Sequence, residues 1–568
     1  MSTIHYRDSI MKKFLISLIA VLLIIIVYFL MNKSPREIDT LLINGNIYTC
    51  DSKNSIVDAI AIQGTMIVGV GKSDKLSEVF FARQVIDLKG KTVLPGLVDG
   101  HAHILGEGGK LENLDLSGTT STEQIVMMVA ERIKNSKKGD WILGRGWDQN
   151  SWQIKEFPKK EILDKVSSDN PVFLRRVDGH AAWANTKALQ LAGIDASTKD
   201  TSGGKIVRDK NGTPTGILVD NAIEFVNKII PPLSNEDIER RLVLAMNECA
   251  SLGLTEVHDM GVDEKTIQIY KKLIDEGRCP IRIYAAIDYP GDTWNQFLKS
   301  GPLIAYKDGM LTVRAVKLYM DGALGSRGAA FFEEYTDDPG NRGLTLMSEK
   351  EMETVCRNAL EKGFQVCTHA IGDRANSITL DIYGKAIALK KDRQNQERWR
   401  VEHVQVLSPN DIQRFKKLNV LPSMQPTHAT SDMEWAENRI GPDRIHGAYA
   451  WRSILNTGAE IISGSDFPVE SVNPFYGLYS AVTRQDQNGV PQGGWYPEQK
   501  MSRVEALNSF TRWAAYGAFQ ENSKGTIETG KWADFTIIDR DIIRCNENEI
   551  YSTKVEMTIV GGKIVYKK

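Results

Sequence analysis

Cysteine is the first thing this sequence is short of. The chain has 568 residues and six cysteines, Cys50, Cys249, Cys279, Cys356, Cys367 and Cys545, scattered with no C-x-x-C pair. That spacing excludes a disulfide framework and a thiolate zinc site, and leaves the cysteines as small buried hydrophobes. Net charge is missing too, with 70 basic against 72 acidic residues and a balance of −2. A near-neutral chain gives no electrostatic ground for a nucleic-acid partner. Internal repeats and low-complexity tracts are absent. What remains, 42% hydrophobic and 25% charged residues, is ordinary globular composition, long enough for one large domain and a smaller one.

Long apolar runs are scarce, with one exception. Residues 14–31, FLISLIAVLLIIIVYFLM, carry no charge over 18 positions, about the minimum for a bilayer core of roughly 30 Å. Arg7, Lys12 and Lys13 precede the run, and Lys33 and Arg36 follow it. No face of the segment is polar, which argues against a core helix, and it ends without a small-residue cleavage site. We read it as an uncleaved signal anchor: residues 1–13 cytoplasmic, 14–31 a transmembrane helix, membrane lipid a partner. The slight basic bias on the amino side and the usual behaviour of such anchors put residues 38–568 on the periplasmic or extracellular side. Met11-Lys12-Lys13 also reads as a start of its own, which would make residues 1–10 a translational extension.

From Ile38 the pattern turns to short strands at 40–48, 59–62 and 66–70, punctuated by Asn-Gly and Gly-Thr as in hairpins. Residues 533–539 and 558–566 read the same way. Neither flank, 38–92 or 521–568, is large enough for a core alone, so the two are expected to pair into one small β-sandwich. Between them, strand-like runs occur at 93–100, 254–260, 281–287, 313–320, 364–369, 399–406, 420–425 and 460–465. They alternate with amphipathic stretches opened by Ser234-x-x-Asp237, Ser348-x-x-Glu351, Ser408-Pro409 and Ser502-x-x-Glu505, which are helix-start signals. Eight strands alternating with helices predict an α/β fold, a (β/α)8 barrel over residues 93–520. Residues 104–240 are too long for one loop and form an insertion, with a helix after Ser121-x-x-Gln124.

His101-Ala102-His103 is the main chemical signal. It ends the first barrel strand, where residues two apart point the same way, so both imidazoles can close on one cation. In such barrels chemistry gathers at the C-terminal strand ends, and those ends carry Lys317, His369, His403 and Asp466 as well. Four of the nine histidines thus fall in one arrangement.

The blocks Pro95–His103, Lys317–Ala329, Thr368–Ala375, Arg400–Gln405, Gly464–Val469 and Gly530–Asp534 together resemble the amidohydrolase superfamily, in the branch that includes N-substituted formamide deformylase and the YtcJ-like proteins. The resemblance covers residues 38–568. It implies a metal-dependent hydrolase acting on a non-peptide carbon–nitrogen bond, with a small-molecule amide such as an N-formyl or N-acyl amine as substrate. His101 and His103 match the pair that holds a first metal, His369 and His403 the histidines of a second. Lys317 matches a lysine that can be carboxylated to bridge both ions, and Asp466 the aspartate that binds metal and handles protons. One or two divalent ions follow, read as zinc. Unmodified, Lys317 would instead pair with Asp321 or Asp466 and leave one ion. His180 matches a motif of the branch and is assigned to the substrate pocket, with Arg327 as a substrate contact or a solvated loop residue. His428 and His258 read as pocket lining or support for the ligands. Trp147 and Trp152 read equally as pocket wall or as packing of the insertion. A deaminase, a cyclic-amide hydrolase or a phosphotriesterase on the same barrel is an alternative. A non-catalytic scaffold is another, but it would be expected to have lost ligands. The resemblance leaves a homodimer open.

Overall fold

The computed structural model describes residues 14–23, 35–176, 179–201, 204–389 and 396–568. Residues 14–23 are helical with exposed side chains. The rest of the apolar run, 24–31, and the segment 1–13 lie outside the described residues. Among the described residues no helix is long and apolar enough to cross a membrane.

Eight parallel strands form the centre, numbered here around the barrel: β1 Leu97–Ala102, β2 Leu254–Val262, β3 Arg282–Asp288, β4 Leu311–Tyr319, β5 Gln365–Ala370, β6 Arg400–His403, β7 Leu421–Met424 and β8 Ile462–Ser463. Each pairs with the next in chain order. They are almost wholly buried, as parallel strands covered by helices must be. The helix-start signals act as read: Ser234 and Ser502 close full capping boxes with Asp237 and Glu505, and Ser348 accepts from the Glu351 amide.

β1 and β8 are not joined by a strand ladder. The seam is closed by side chain and loop instead. Asp99 accepts from the Ser465 amide at 3.1 Å and its hydroxyl at 2.6 Å, and the Asp466 amide donates to the His101 carbonyl at 2.7 Å. Glycine is required on both sides of this seam. A Cβ on Gly100 would sit 2.3 Å from Ile462 Cγ2, and one on Gly464 2.5 Å from the His101 nitrogen.

The first apolar run proves to be two strands. Thr92–Pro95 pairs antiparallel with Phe535–Ile538, and the chain enters the barrel only at Leu97. Gly96 marks the change, since a Cβ there would lie 2.2 Å from the Thr255 hydroxyl. The expected strand 40–48 likewise divides, at Asn44, whose φ of 56° interrupts it. Arg36–Ile43 joins a four-stranded sheet with 59–63, 66–71 and 80–87. Asn46–Tyr48 joins a six-stranded sheet completed by Val555–Val560 and Lys563–Lys567. Leu42, Ile60 and Ile62 of the first sheet share one core with Val93, Phe535 and Ile537 of the second, so both chain ends build one body.

That body is fastened to the barrel by a buried charge pair. Asp534 meets the Arg282 guanidinium at 2.8 and 3.1 Å, both side chains at most 2% exposed, with the Trp532 ring 4.0 Å from the guanidinium carbon. The insertion has its own six-stranded sheet, including Ile142–Trp147, Val172–Arg176 and Pro214–Asp220.

Candidate functional site

The strand ends bring the expected ligands together. His101 is fully buried and His103 a third exposed. Their outer nitrogens are both taken: His101 Nδ1 lies 2.6 Å from Glu402 Oε2, and His103 Nδ1 2.8 Å from the Met260 carbonyl. His403 repeats the pattern, with Nδ1 2.9 Å from Gln425 Oε1. Each partner is an acceptor, which places the ring proton on Nδ1 and leaves Nε2 as a lone-pair donor facing inward.

Asp466 is the hub. Its Oδ1 is 3.1 Å from His103 Nε2 and 3.6 Å from His101 Nε2, while Oδ2 is 3.7 Å from His428 Nε2. Two groups with ligand atoms within 4.8 Å of one another result, His101–His103–Asp466 and His403–His428–Asp466. His369 stands beside them, its ring centroid 4.5 Å from that of His403. Lys317 points its Nζ at His101 Nε2, 3.2 Å away. The expected ion pair of Lys317 with Asp321 or Asp466 does not form: among the described residues no carboxylate comes within 4.0 Å of Nζ. Asp321 instead accepts backbone amides of Ala330, Ile371 and Gly372.

The direction of His403 is set by the backbone. Arg400 and Glu402 occupy the inward positions of β6, so strict alternation would turn His403 outward. φ values of 74° at His403 and 48° at Val404 end the strand there, and the ring reaches 4.7 Å from that of His101. Asp466 also has a positive φ, 60°. Left-handed conformations of bulky residues are uncommon, and such strain clusters at functional sites.

The electrostatics suit cations. Burial, helped by the Lys317 charge, holds the His101 ring well below its ordinary value and lowers His369 to about 3; burial and the neighbouring His369 do the same to His403. These imidazoles are therefore neutral and able to ligate. Burial would raise the Asp466 carboxyl, but the imidazoles that face it, His103 foremost, hold it below the carboxylate range. Burial also lowers the Lys317 amine. His369 Nε2 and Asp466 Oδ1 are buried without a hydrogen-bond partner, a cost a bound cation removes. The donor set of neutral imidazoles and one carboxylate fits zinc-like divalent metals.

A cavity of about 490 Å³ opens above this floor, walled by Tyr319, Leu324, Ile371, Trp435 and Val469. His428 lines it. Three other residues expected at the substrate do not line this cavity. Trp147 is fully buried in the core of the insertion beside Trp152, its indole N–H donating to the Leu174 carbonyl at 2.8 Å. Arg327 spends its guanidinium on Asp337, at 2.9 and 3.1 Å, outside the cavity. His180, at the surface of the insertion, has Nδ1 2.8 Å from Asp220 and does not line the cavity.

Sequence reasoning missed the residues that aim the ligands. Glu402 and Arg400 lie in a block noted only for His403. Arg400 donates to Glu402 at 3.0 Å and to Ser423 at 2.8 Å, and its Nη1 is 2.9 Å from His258 Nδ1. His258 thus belongs to the buried network below the site. The signal was an adjacent Arg-x-Glu of opposite charge on the inward face of an otherwise apolar strand.

Comparison with known proteins agrees with this geometry. A model of the amidohydrolase family matches residues 84–566. YtcJ of Bacillus subtilis (strain 168) is 33% identical over 533 residues, 92% of this chain and 98% of that protein. The N-substituted formamide deformylase of Arthrobacter pascens is 26% identical over 544 residues, 93% of this chain and 98% of that protein. A metal-dependent hydrolase from Pyrococcus furiosus superposes with a TM-score of 0.73 at 30% identity, covering 89% of this chain and 100% of its own. A match that runs through every strand of the barrel and into the sheet beyond it leaves one assignment: the chain belongs to the amidohydrolase family, as a metal-dependent hydrolase.

Proposed function

We propose that the protein hydrolyses the carbon–nitrogen bond of a non-peptide amide, an N-formyl or N-acyl amine. The observation that carries this is Asp466, a carboxylate held ionised at the cavity floor between two groups of histidines. His101, His103 and Asp466 would hold one zinc ion, and His369 and His403 a second. Bound there, zinc supplies Lewis acidity toward water and a carbonyl oxygen. Asp466 accepts the proton of the attacking water on its carboxylate and delivers it to the departing amine nitrogen. Gln405 holds the ring of His428, its side-chain amide nitrogen 3.2 Å from Nδ1, and Nε2 faces the cavity floor 3.7 Å from Asp466 Oδ2. So placed, His428 contacts the substrate. Lys317 is buried with its Nζ 3.2 Å from His101 Nε2, and burial lowers its amine; carboxylated, it would add an oxygen donor to the ligands His101 and His103 supply.

Likeness to the formamide deformylase of Arthrobacter pascens supports the choice of amide. Protein lacking residues 1–35, assayed against N-formyl, N-acyl and cyclic amides with metal analysis of the same sample, tests the reading. Hydrolysis of an acyclic amide with one or two equivalents of zinc is expected, and metal-free protein with full activity refutes it. We further propose that residues 14–31 anchor the enzyme with its barrel outside the cytoplasmic membrane. Protease added after the outer layer is permeabilised should digest the barrel and spare cytoplasmic markers. A barrel protected until the inner membrane is lysed would reverse the orientation.

A further inference from the structure

The cavity carries a charge pattern that the hydrolytic step does not use. Two carboxylates, Asp432 and Glu470, stand in its wall, and Lys317 at the floor is the one lysine or arginine among its lining residues. They come from separate elements, the helix Pro426–Asp432 and the loop that follows Asp466. Both are half-buried and held by hydroxyls: Tyr449 donates to Asp432 Oδ2 at 2.6 Å, and Ser431 to Glu470 Oε1 at 2.5 Å. Burial pushes the Asp432 carboxyl up against the pull of the neighbouring His428 and the Tyr449 hydroxyl, and the charge of Glu470 adds to the rise. The arginines of the neighbouring loops do not relieve them, since Arg327 and Arg439 both close on Asp337. Trp435 and Val469 add apolar surface beside them. Below, His428 Nε2, on a side chain about nine-tenths buried, lacks a hydrogen-bond partner. Partly desolvated like charges without a cation are unfavourable, and the missing partner is supplied most simply by what enters the cavity.

We propose that Asp432 and Glu470 select amide substrates bearing a fixed positive charge, such as N-formyl or N-acyl derivatives of diamines or quaternary ammonium amines, and repel carboxylate-bearing ones such as N-acyl amino acids. As a statement about turnover this rests on the amide-hydrolase reading; as a statement about binding it rests on the cavity alone. Repulsion of the wrong charge and attraction of the right one act together in such selection.

Two measurements on the zinc-loaded full chain separate these. Calorimetry compares choline, a cation that cannot ligate metal through nitrogen, with its uncharged isostere 3,3-dimethylbutan-1-ol. Choline should bind on the order of tenfold more tightly, and the advantage should shrink in Asp432→Asn and in Glu470→Gln, each checked for wild-type thermal unfolding. Either well-folded variant suffices. Hydrolysis then compares the formamides of 3-(trimethylammonio)propylamine and 4,4-dimethylpentylamine, whose kcat/KM ratio should favour the cation and fall in the same variants. Equal binding of the two probes, no binding of choline, or a preference that both variants retain overturns the proposal. Choline preference without turnover of either formamide keeps the selectivity and sinks the amide reading instead.

Discussion

Glu402→Gln separates the metal site from the scaffold that aims it. Glu402 is fully buried, with Oε2 2.6 Å from His101 Nδ1 and 3.0 Å from Arg400 Nη2. The amide keeps the shape and removes the charge. Two losses of different size follow. A ligand histidine deprived of its carboxylate partner typically loses roughly 10–100-fold in metal affinity, about 1.4–2.7 kcal/mol. The glutamine can also turn its NH2 toward Nδ1, which would drive the ring proton to Nε2 and block the ligating atom. Arg400 loses its buried counter-charge as well, and breaking such a pair costs about 3–5 kcal/mol. The amide oxygen still accepts one hydrogen bond, so we expect the lower end, about 3 kcal/mol. Competition with a chromophoric chelator reads the first loss. Urea unfolding of metal-free protein reads the second, without the stabilisation that bound metal adds. A folded variant whose metal affinity stays within twofold of wild type would refute the role given to Glu402.

Other perturbations test separate parts of the structure. Asp466→Asn should lower kcat by on the order of 10²–10⁴, the usual size of acid–base catalysis; wild-type turnover with normal binding contradicts the proton-shuttle role. Lys317→Ala should lose activity and regain part of it with short carboxylic acids that stand in for a carbamate, while full activity without them removes the bridging lysine from the mechanism. Asp534→Ala leaves Arg282 charged and unpaired between barrel and sandwich, which should cost about 3–5 kcal/mol in chemical denaturation. The double variant Arg282→Met, Asp534→Leu should recover most of that, and no recovery would mean that the pair is not what joins the two bodies.

The eight barrel strands are legible in the sequence for a local reason. Strands buried on both faces appear as short apolar runs between helix-start signals. The His101–His103 pair is legible for the same reason, because alternation along one strand needs no partner. The division of residues 92–102 at Gly96 is not legible, since the first half is defined by Phe535–Ile538 from the other end of the chain. Trp147 is ambiguous as a sequence feature. An aromatic side chain suits a pocket wall and a core equally, and only the sheet of the insertion decides for the core.

The sequence by itself determined the class of fold, the positions of the strand ends and the kinds of side chain that sit on them, because period, capping and residue chemistry are properties of neighbours along the chain. The tertiary structure alone decided which of those side chains meet. His403 turns inward through a left-handed backbone, Glu402 reaches across the barrel to His101, and Asp432 and Glu470 arrive at one cavity from separate elements. Distances between strands on opposite sides of a closed barrel depend on how the whole sheet curls, and no local pattern encodes that.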